Sequence, residues 1–338
     1  MKFFCDDSVT LFHGDCLEVL AGLPDGSVDS VVTDPPYGLA FMGNRWDTFS
    51  AVEFQAWCGL WAAECLRVLK PGGHMLAFGG TRTFHRLAVA VEDAGFEIRD
   101  SIAWLHSQGF PKGGNLKPAF EPVVVGRKRL AEKTVSANVS RFGTGLLNVE
   151  ASRIATVDAF GGGSKGSSGF VDGYAHDGWV AGAEGGRWPA NVILDESQAA
   201  ALDLQSGVSK SSGVINRWDD GAKPFGGGAG HEYTSVRGVA DEGGASRFFY
   251  TAKANKRERP VVSGVTHPTV KPLALMQYLV RLVTPLGGVV LEPFAGSGAT
   301  VEAAILEGFD VIAVEREESY LPLVVERVKR AKGLMVEE

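Results

Sequence analysis

The sequence predicts an α/β fold in which a mostly parallel sheet is covered by helices on both faces. Short apolar runs, such as residues 28–33 and 289–292, alternate with longer segments whose apolar residues recur at helical spacing, such as 50–68 and 273–284. Strands buried on both faces carry continuous apolar runs, and their alternation with helices is typical of parallel strands joined by crossovers. Functional residues are therefore expected at the carboxyl ends of these strands.

The composition is that of an ordinary globular protein. The chain has 338 residues, 45% hydrophobic and 22% charged, which is enough for one large or two modest domains. No segment has the length of an apolar membrane span and the N-terminus lacks the shape of a signal peptide, so no membrane partner is expected. The four cysteines are scattered without metal-type spacing, which predicts reduced thiols in the cytoplasm and no metal site.

Strands and helices alternate through the first part of the chain. Pro35 and Pro36 end the strand at 28–33 because proline cannot donate to a sheet, and Ser50 with Glu53 forms a capping box at a helix start. The predicted strands lie at 8–13, 28–33, 74–78, 98–104 and 122–125, and the predicted helices at 16–23, 50–68 and 81–94.

The composition changes between residues 131 and 245. Glycine clusters separated by Ser, Asp and Asn dominate there, apolar periodicity is weak, and isolated aromatic residues recur. A flexible linker is the simplest interpretation, but a linker of this length is unusual inside a compact domain. We interpret 131–245 as an inserted, loop-rich region that recognises the substrate, between a first part at 1–130 and a last part at 246–338.

The last part of the chain has the layout of a nucleoside-binding half-sheet. Gly296 and Gly298 allow a tight turn before the amino end of a helix, and Glu315 can accept two hydrogen bonds from ribose hydroxyls. Val301 stands where a dinucleotide fingerprint has its third glycine, which favours a single nucleoside. The predicted helices lie at 273–284, 299–307 and 319–331, and the predicted strands at 289–292 and 311–314.

The segment Asp34-Pro35-Pro36-Tyr37 carries the most specific chemistry in the chain. The two prolines remove two N–H donors and stiffen the backbone, so that the segment offers carbonyl acceptors. Asp34 adds a carboxylate and Tyr37 adds a flat aromatic ring. Two acceptors beside an aromatic face suit a planar ring that carries an exocyclic amine, because the amine has two N–H donors and the ring has a face to stack.

This segment resembles the catalytic motif of the amino-methylating DNA methyltransferases, which transfer a methyl group from S-adenosylmethionine to adenine N6 or cytosine N4. The segment 294–298, Phe-Ala-Gly-Ser-Gly, is similar to the cofactor loop of the same enzymes, and the segment 267–272, His-Pro-Thr-Val-Lys-Pro, is similar to the one that reaches the methionine end. The catalytic motif comes first and the glycine loop last, with a recognition region between them. That order resembles the β-class of the family.

The resemblance implies a circularly permuted Rossmann-like methyltransferase sheet with helices on both faces and an inserted loop-rich target-recognition region. The strand at 8–13 would take the place of the strand that is missing after Val314. Permutation of this kind is tolerated where chain termini lie close together. Residues 1–130 would then form the catalytic half, 131–245 the target-recognition region and 246–338 the cofactor-binding half.

The resemblance also implies roles for single residues. Asp34 and the Pro35 carbonyl would each accept one amine hydrogen of a flipped base stacked on Tyr37, in a loop shaped by Pro36. Glu315 would bind the cofactor's ribose, Asp15 its adenine amine, and Thr269 with Lys271 its carboxylate. The cofactor-binding candidates are Asp15, Cys16, Asp34, Thr269, Lys271, Phe294, Ala295, Gly296, Ser297, Gly298, Glu315 and Arg316.

Duplex DNA is the implied partner, although the net charge of −7 argues against a nucleic acid at face value. Phosphate contacts need only a local basic face, and two basic clusters bracket the insert. Solvated surface charge is the competing interpretation of either cluster. A homodimer and a cognate restriction endonuclease stay open as further partners. The candidate DNA contacts are Arg45, Arg127, Lys128, Arg129, Lys133, Arg141, Lys253, Lys256 and Arg257.

Two alternatives concern the reaction itself. Adenine is favoured over cytosine because Asp rather than Ser opens the four-residue motif, which in the family leans to adenine. An RNA or protein-glutamine methyltransferase would have the glycine loop before the catalytic motif and would lack a large central insert. A DNA-binding subunit with a decayed site is the non-enzymatic alternative, and the intact Asp34, Tyr37, Gly296, Gly298 and Glu315 speak against it.

Overall fold

A computed structural model describes residues 1–40, 47–109, 114–154, 186–210, 214–218, 233–237, 241–253 and 258–333. Arg45, Lys256 and Arg257 of the predicted DNA contacts lie outside the described residues. Within the described part of the chain, no helix is long and apolar enough to cross a membrane.

Ten strands form one large sheet. The strands of this sheet are β1 (Lys2–Cys5), β2 (Val9–His13), β3 (Val28–Thr33), β4 (Leu69–Phe78), β5 (Glu97–Leu105), β6 (Phe120–Arg127), β7 (Val192–Asp195), β12 (Tyr250–Ala252), β13 (Val289–Glu292) and β14 (Asp310–Glu315). Their order in the sheet is β1-β2-β14-β13-β3-β4-β6-β5-β7-β12. The fold class predicted from the sequence is confirmed, and most boundaries of the predicted strands lie within two residues of the observed ones.

The centre of the sheet is parallel, as its apolar strands predict. β2, β14, β13, β3 and β4 pair in parallel, so their carboxyl ends meet at one edge. β2 lies beside β14 with His13 opposite Glu315, which brings the N-terminal strand next to the C-terminal half-sheet. This is the pairing that the permuted order predicts, and it follows because neither half alone supplies enough strands to finish the sheet.

β6 runs antiparallel to its neighbours β4 and β5. Its first residues therefore lie at the same edge as the last residues of the parallel strands. Val123 is opposite Phe78, the last residue of β4, so that Glu121, two positions earlier, projects beyond the end of β4. This reversal brings the start of one strand into the site formed by the ends of the others.

Helices cover the sheet and complete the core. α2 buries an aromatic and apolar stripe that includes Phe54, Trp61 and Cys65, and its predicted capping box is present, since Ser50 and Glu53 each accept from the other's backbone N–H. The helices are α1 (Cys16–Ala21), α2 (Ala51–Val68), α3 (Phe84–Asp93), α4 (Val135–Phe142), α5 (Glu196–Ser206), α6 (Leu273–Val283), α7 (Ala299–Leu306) and α8 (Leu321–Ala331).

The chain divides into two compact units. The first unit comprises Met1–Ser152, Asn191–Gln198 and Thr251–Glu338, and the second comprises Arg153–Ala190 and Ala199–Tyr250. β7 thus belongs to the large sheet although its sequence lies inside the predicted insert, because Val-Ile-Leu is an apolar run that pairs in parallel with β5. The sequence analysis assigns no part of 131–245 to the sheet.

The second unit contains two small antiparallel strand pairs. β8 (Ser209–Lys210) pairs with β11 (Glu242–Gly243), and β9 (Val214–Trp218) pairs with β10 (Tyr233–Arg237). A buried ion pair also stabilises this unit, since Asp241 accepts from the guanidinium groups of both Arg187 and Arg247. Such short pairings suit the glycine-rich composition, which offers few side chains for a larger core.

Candidate active site

The loop after β3 positions the predicted catalytic residues. β3 is buried throughout, and Asp34 follows it at the carboxyl edge of the sheet. The loop then turns at Gly38, whose N–H donates to the buried carboxylate of Asp47 at 2.6 Å, while Thr83 donates to the Tyr37 carbonyl at 2.7 Å. A Cβ at Gly38 would lie 2.7 Å from Phe54. This position therefore requires glycine, both for space and for its φ of +67°.

Asp34 and Tyr37 lie in a cluster with two further charged residues, Lys271 and Glu121. The Lys271 ammonium donates to Asp34 Oδ2 at 2.5 Å and lies 3.2 Å from Glu121 Oε2. The Tyr37 hydroxyl lies 2.7 Å from Asp34 Oδ1 and 3.0 Å from Glu121 Oε2, and accepts from Lys271 at 3.2 Å. One cation and one hydroxyl are thus shared by two carboxylates.

The electrostatics of the cluster keep its members in fixed protonation states. Burial acts to lower the pKa of Lys271, but the carboxylates of Asp34 and Glu121 outweigh it and the net pKa is raised. Burial and the same two carboxylates raise the pKa of Tyr37 well above its ordinary value. Lys271 therefore stays a cation and Tyr37 stays a neutral donor throughout the neutral range. The resemblance implies a contact of Lys271 with the cofactor's carboxylate, whereas the Lys271 ammonium contacts the carboxylate of Asp34.

The glycine loop and Glu315 meet at the ends of β13 and β14. Glu315 Oε2 accepts from the Gly296 N–H at 2.6 Å and Oε1 accepts from the Glu317 N–H at 2.7 Å. Burial raises the pKa of Glu315, opposed by these N–H donors. Each oxygen keeps a further lone pair, so the carboxylate can accept two more hydrogen bonds. The Gly14 N–H donates to the Glu315 carbonyl, which places the Asp15 turn beside it.

Tight packing around the glycine loop leaves no space for other residues. A Cβ at Gly296 would lie 3.1 Å from His267 Nε2, and one at Gly298 would lie 2.9 Å from Val324 Cα. Both residues have positive φ values, +51° and +80°. The Gly298 N–H donates to the Ala295 carbonyl at 2.7 Å and so closes a turn at the start of α7. Only glycine satisfies both the space and the backbone angles at these positions.

Aromatic side chains anchor the same loop from the other side. The ring of Phe294 packs on Trp57 and Trp61 of α2, with centroids 5.5 Å apart in both pairs. His267 makes an edge contact with Tyr320 at 4.6 Å. The tilted and edge-to-face contacts of Phe294 with the two tryptophans add about 0.5–1.5 kcal/mol each beyond the apolar area that they bury. They hold the backbone of the loop in place for a ligand.

The other predicted cofactor contacts have different surroundings. Cys16 is the buried first residue of α1, and burial with the adjacent Asp15 charge raises the pKa of its thiol to about 12. Ala295 and Ser297 are buried in the glycine loop, Thr269 is exposed, and Arg316 is exposed with its guanidinium 3.4 Å from Glu317. The cofactor roles of these residues stay predictions.

Glu292 links the catalytic loop to the glycine loop, although in the sequence it stands out only as a strand end. Its Oε1 accepts from the Thr33 hydroxyl at 2.5 Å and from the Phe294 N–H at 3.0 Å, and its Oε2 accepts from the Thr300 hydroxyl at 2.5 Å. Burial raises the pKa of Glu292 to about 8, against the effect of these donors. A carboxyl group that is neutral at pH 7 therefore joins β3, β13 and α7.

Substitution of Glu292 by Gln is expected to make stability less dependent on pH. The folded-state pKa of about 8 lies above the ordinary value of 4.5, so the native state binds more protons and loses stability as pH rises through that window. Glu292→Gln removes this titration. We therefore expect the free energy of unfolding of the variant, relative to that of the native sequence, to rise by roughly 1 kcal/mol or more between pH 5.5 and 8. Urea unfolding of both proteins at the two pH values measures this difference. An equal change in the free energy of unfolding of the two proteins would contradict the prediction.

Two of the predicted basic residues that the structure describes are turned into the protein. Arg127 is buried in β6 and pairs with Glu97 at 2.6 Å, because its strand lies inside the sheet. Lys128 is half-buried and donates to the Leu69 carbonyl at 2.6 Å. These two side chains therefore differ from the exposed cluster that the sequence predicts. Arg129, Lys133, Arg141 and Lys253 are exposed, and Arg141 pairs with Glu132 at 2.6 Å.

Sequence reasoning missed three acidic residues of the site. Asp47 lies beyond the loop that it caps, Glu121 opens an antiparallel strand, and Glu292 ends an apolar run. A carboxylate in an apolar run, as at Glu292, is a usable signal because burial of a charge is costly without partners. No local pattern marks Glu121, since its place depends on the direction of β6 in the sheet.

The chain is similar to DNA methylases over most of its length. The profile of a family described as DNA methylase, the N6/N4 methyltransferases, matches residues 28–326. The type II methyltransferase M.HinfI of Haemophilus influenzae is 30% identical over 123 residues, which cover 32% of this chain and 34% of that protein. The chain thus spans about a third of the length of this relative.

Two solved structures resemble the whole chain. The PvuII DNA methyltransferase, which is cytosine-N4-specific, aligns with a TM-score of 0.53 and 16% identity over 95% of this chain and 86% of that one. TTHA0409 of Thermus thermophilus aligns with a TM-score of 0.48 and 21% identity over 95% and 94%. At such low identity, the likeness to the PvuII enzyme shows the fold alone. Since the family profile covers most of its length, the chain belongs to the N6/N4 DNA methylase family.

Proposed function

We propose that this protein transfers a methyl group from S-adenosylmethionine to the exocyclic amine of a flipped base in duplex DNA, with adenine N6 as the target. The observation that carries the proposal is the common edge of the sheet. Asp34 follows β3 and Glu315 ends β14, with β13 between them, so the two acids are separated by two strand spacings, about 10 Å. Residues from the two ends of the chain therefore lie at the same edge of the sheet.

The glycine loop and its neighbours fit the cofactor. Gly296 and Gly298 allow the tight turn before α7, the amino end of α7 presents N–H groups, and Glu315 keeps acceptor capacity for two ribose hydroxyls. Asp15 lies beside Glu315 as an acceptor for an amine. When bound, S-adenosylmethionine supplies an electrophilic methyl group on a sulfonium.

The catalytic loop fits an amine. The Asp34 carboxylate and the Pro35 carbonyl each accept one N–H of the target, which draws the nitrogen lone pair out of conjugation and directs it toward the cofactor side of the sheet edge. Positioning and electrostatic stabilisation then supply the rate enhancement, and no covalent nucleophile is required. The base must leave the helix to reach this loop, at a cost of about a few kcal/mol that stacking on Tyr37 offsets.

Adenine is proposed because Asp opens the four-residue motif. The same acceptors serve the N4 amine of cytosine, so the target base is an outcome of the experiment below. The second unit and the exposed residues Arg129, Lys133 and Lys253 are proposed to contact the duplex, with phosphates as the partners of the lysines.

The experiment that tests the function measures methyl transfer to DNA. The purified protein is incubated with S-adenosylmethionine labelled on the methyl group and with PCR-amplified genomic DNA, which carries no modified bases. We expect label in the DNA, recovered after digestion as N6-methyladenine at one short sequence. Label recovered as N4-methylcytosine would show that cytosine, not adenine, is the target base. Cellular RNA and protein are offered in parallel reactions, and label in one of them with none in the DNA would refute a DNA substrate.

A further inference from the structure

The catalytic carboxylate of the free protein is already occupied. Tyr37 donates to one oxygen of Asp34 at 2.7 Å and Lys271 donates to the other at 2.5 Å. An ammonium at this distance neutralises much of the negative charge, which makes Asp34 a weaker acceptor for a neutral amine. If both donors stayed in place, the target amine would have to compete with them for the same lone pairs.

A second carboxylate stands within reach of both donors. Glu121 Oε2 lies 3.0 Å from the Tyr37 hydroxyl and 3.2 Å from the Lys271 ammonium. The hydroxyl has a single proton and can donate to only one carboxylate at a time. Lys271 has three N–H donors, so its ammonium can favour either acid by a small rotation.

The sheet fixes the backbone of Glu121. Glu121 lies at the start of β6, opposite Trp104 in the register with β5. Its other oxygen, Oε1, lies 3.8 Å from Nε2 of the buried His106, which is beyond hydrogen-bond distance. The position of Glu121 therefore depends on the pairing of β5 with β6 and not on the catalytic loop.

We infer that Glu121 is a positioning residue for methyl transfer, which takes over the Lys271 ammonium and the Tyr37 hydroxyl when Asp34 accepts the target amine. The transfer of two hydrogen bonds leaves Lys271 paired and buried, and it frees the lone pairs of Asp34. The Tyr37 ring also stays fixed at its hydroxyl while its face receives the base. This inference rests on the proposed function and assigns a role to a residue outside the four-residue motif.

The test compares Glu121→Gln with Glu97→Gln by steady-state kinetics. Gln keeps the length of the side chain and its carbonyl acceptor but removes the charge that attracts Lys271. We expect kcat to fall about 10- to 100-fold, with the KM for S-adenosylmethionine unchanged, because a misplaced acceptor affects the transfer step alone. Glu97 pairs with Arg127 at the far end of the same hairpin, so Glu97→Gln is expected to keep the native kcat.

A double-mutant cycle tests whether Glu121 acts through the Tyr37 hydroxyl. Tyr37→Phe removes the shared hydroxyl but keeps the ring, and we expect Tyr37→Phe with Glu121→Gln to lose less than the product of the two single losses in kcat. Two residues that act independently would give the full product. That result, or a native kcat for Glu121→Gln, would overturn the inference.

The two proposals can fail separately in this experiment. Methyl transfer by the native protein combined with a native kcat for Glu121→Gln removes only the role of Glu121. Absence of transfer by the native protein removes the proposed function and this inference with it. Thermal unfolding of each variant identifies any loss of fold, and if Glu121→Gln unfolds, the cycle is run with Glu121→Asp, which keeps the charge but shortens the reach.

Discussion

Replacement of Asp34 by Ala is expected to abolish turnover while leaving the cofactor bound. Asp34 is the one carboxylate at the end of β3, and its loop is held by Asp47 and Thr83, which the substitution does not touch. Loss of a preorganised group that acts on the reacting atoms costs roughly 10²–10³-fold or more in kcat. Lys271 keeps Glu121 as a partner, so its buried charge is not left unpaired.

The measurement pairs kinetics with binding. Labelled methyl transfer gives kcat, and calorimetric titration with S-adenosylmethionine gives a Kd that we expect to stay within about threefold of the native value. Asp93→Ala, at the exposed end of α3, is the matched control and should keep full activity. Methylation by Asp34→Ala at a near-native rate would show that another residue accepts the target amine.

Replacement of Glu315 by Ala is expected to act on the cofactor instead. The carboxylate binds the Gly296 and Glu317 N–H groups and, in the proposed complex, two ribose hydroxyls. Hydrogen bonds to a charged group contribute about 1.5–3 kcal/mol each, so we expect the KM for S-adenosylmethionine to rise at least about 10- to 100-fold. The effect on kcat at saturation should be smaller, because the catalytic loop is unchanged.

Two further variants show whether loss of the Glu315 carboxylate causes the change in KM. Glu315→Gln keeps one acceptor and is expected to lie between Ala and the native protein in KM. Glu318→Gln changes an exposed acid three positions away and should have no effect. A KM that stays native in Glu315→Ala, with a fall in kcat, would place the ribose elsewhere and refute the proposed cofactor site.

Local sequence was sufficient for most of the elements. The apolar runs at β3, β13 and β14 and the capping box at Ser50 predicted their strands and the start of α2 to within about two residues, because these signals depend on neighbours in the chain. The permuted pairing of β2 with β14 also followed, from the count of strands in each half. β7 was missed, since an apolar run of three residues in a glycine-rich context gives little periodicity.

The proposed site also shows what local sequence can predict. Asp34, Tyr37, Gly296, Gly298 and Glu315 were proposed from the sequence alone, because their chemistry is local: a proline-ended strand, a glycine turn and an acid after a strand. Sequence could not show that Arg127 and Lys128 are turned into the protein, since their burial depends on how the end of β6 lies against Glu97 and Leu69, which are distant in the chain.

Only the tertiary structure decided how the charges are shared. Lys271 lies 237 positions from Asp34 along the chain, yet their side chains touch, and Glu121 joins them because β6 runs opposite to its neighbours. A motif indicates the chemistry that each residue can carry out, whereas the distance between two charges depends on strand order and direction. For this protein the sequence determined the type of chemistry, and the sheet decided which carboxylate holds the lysine.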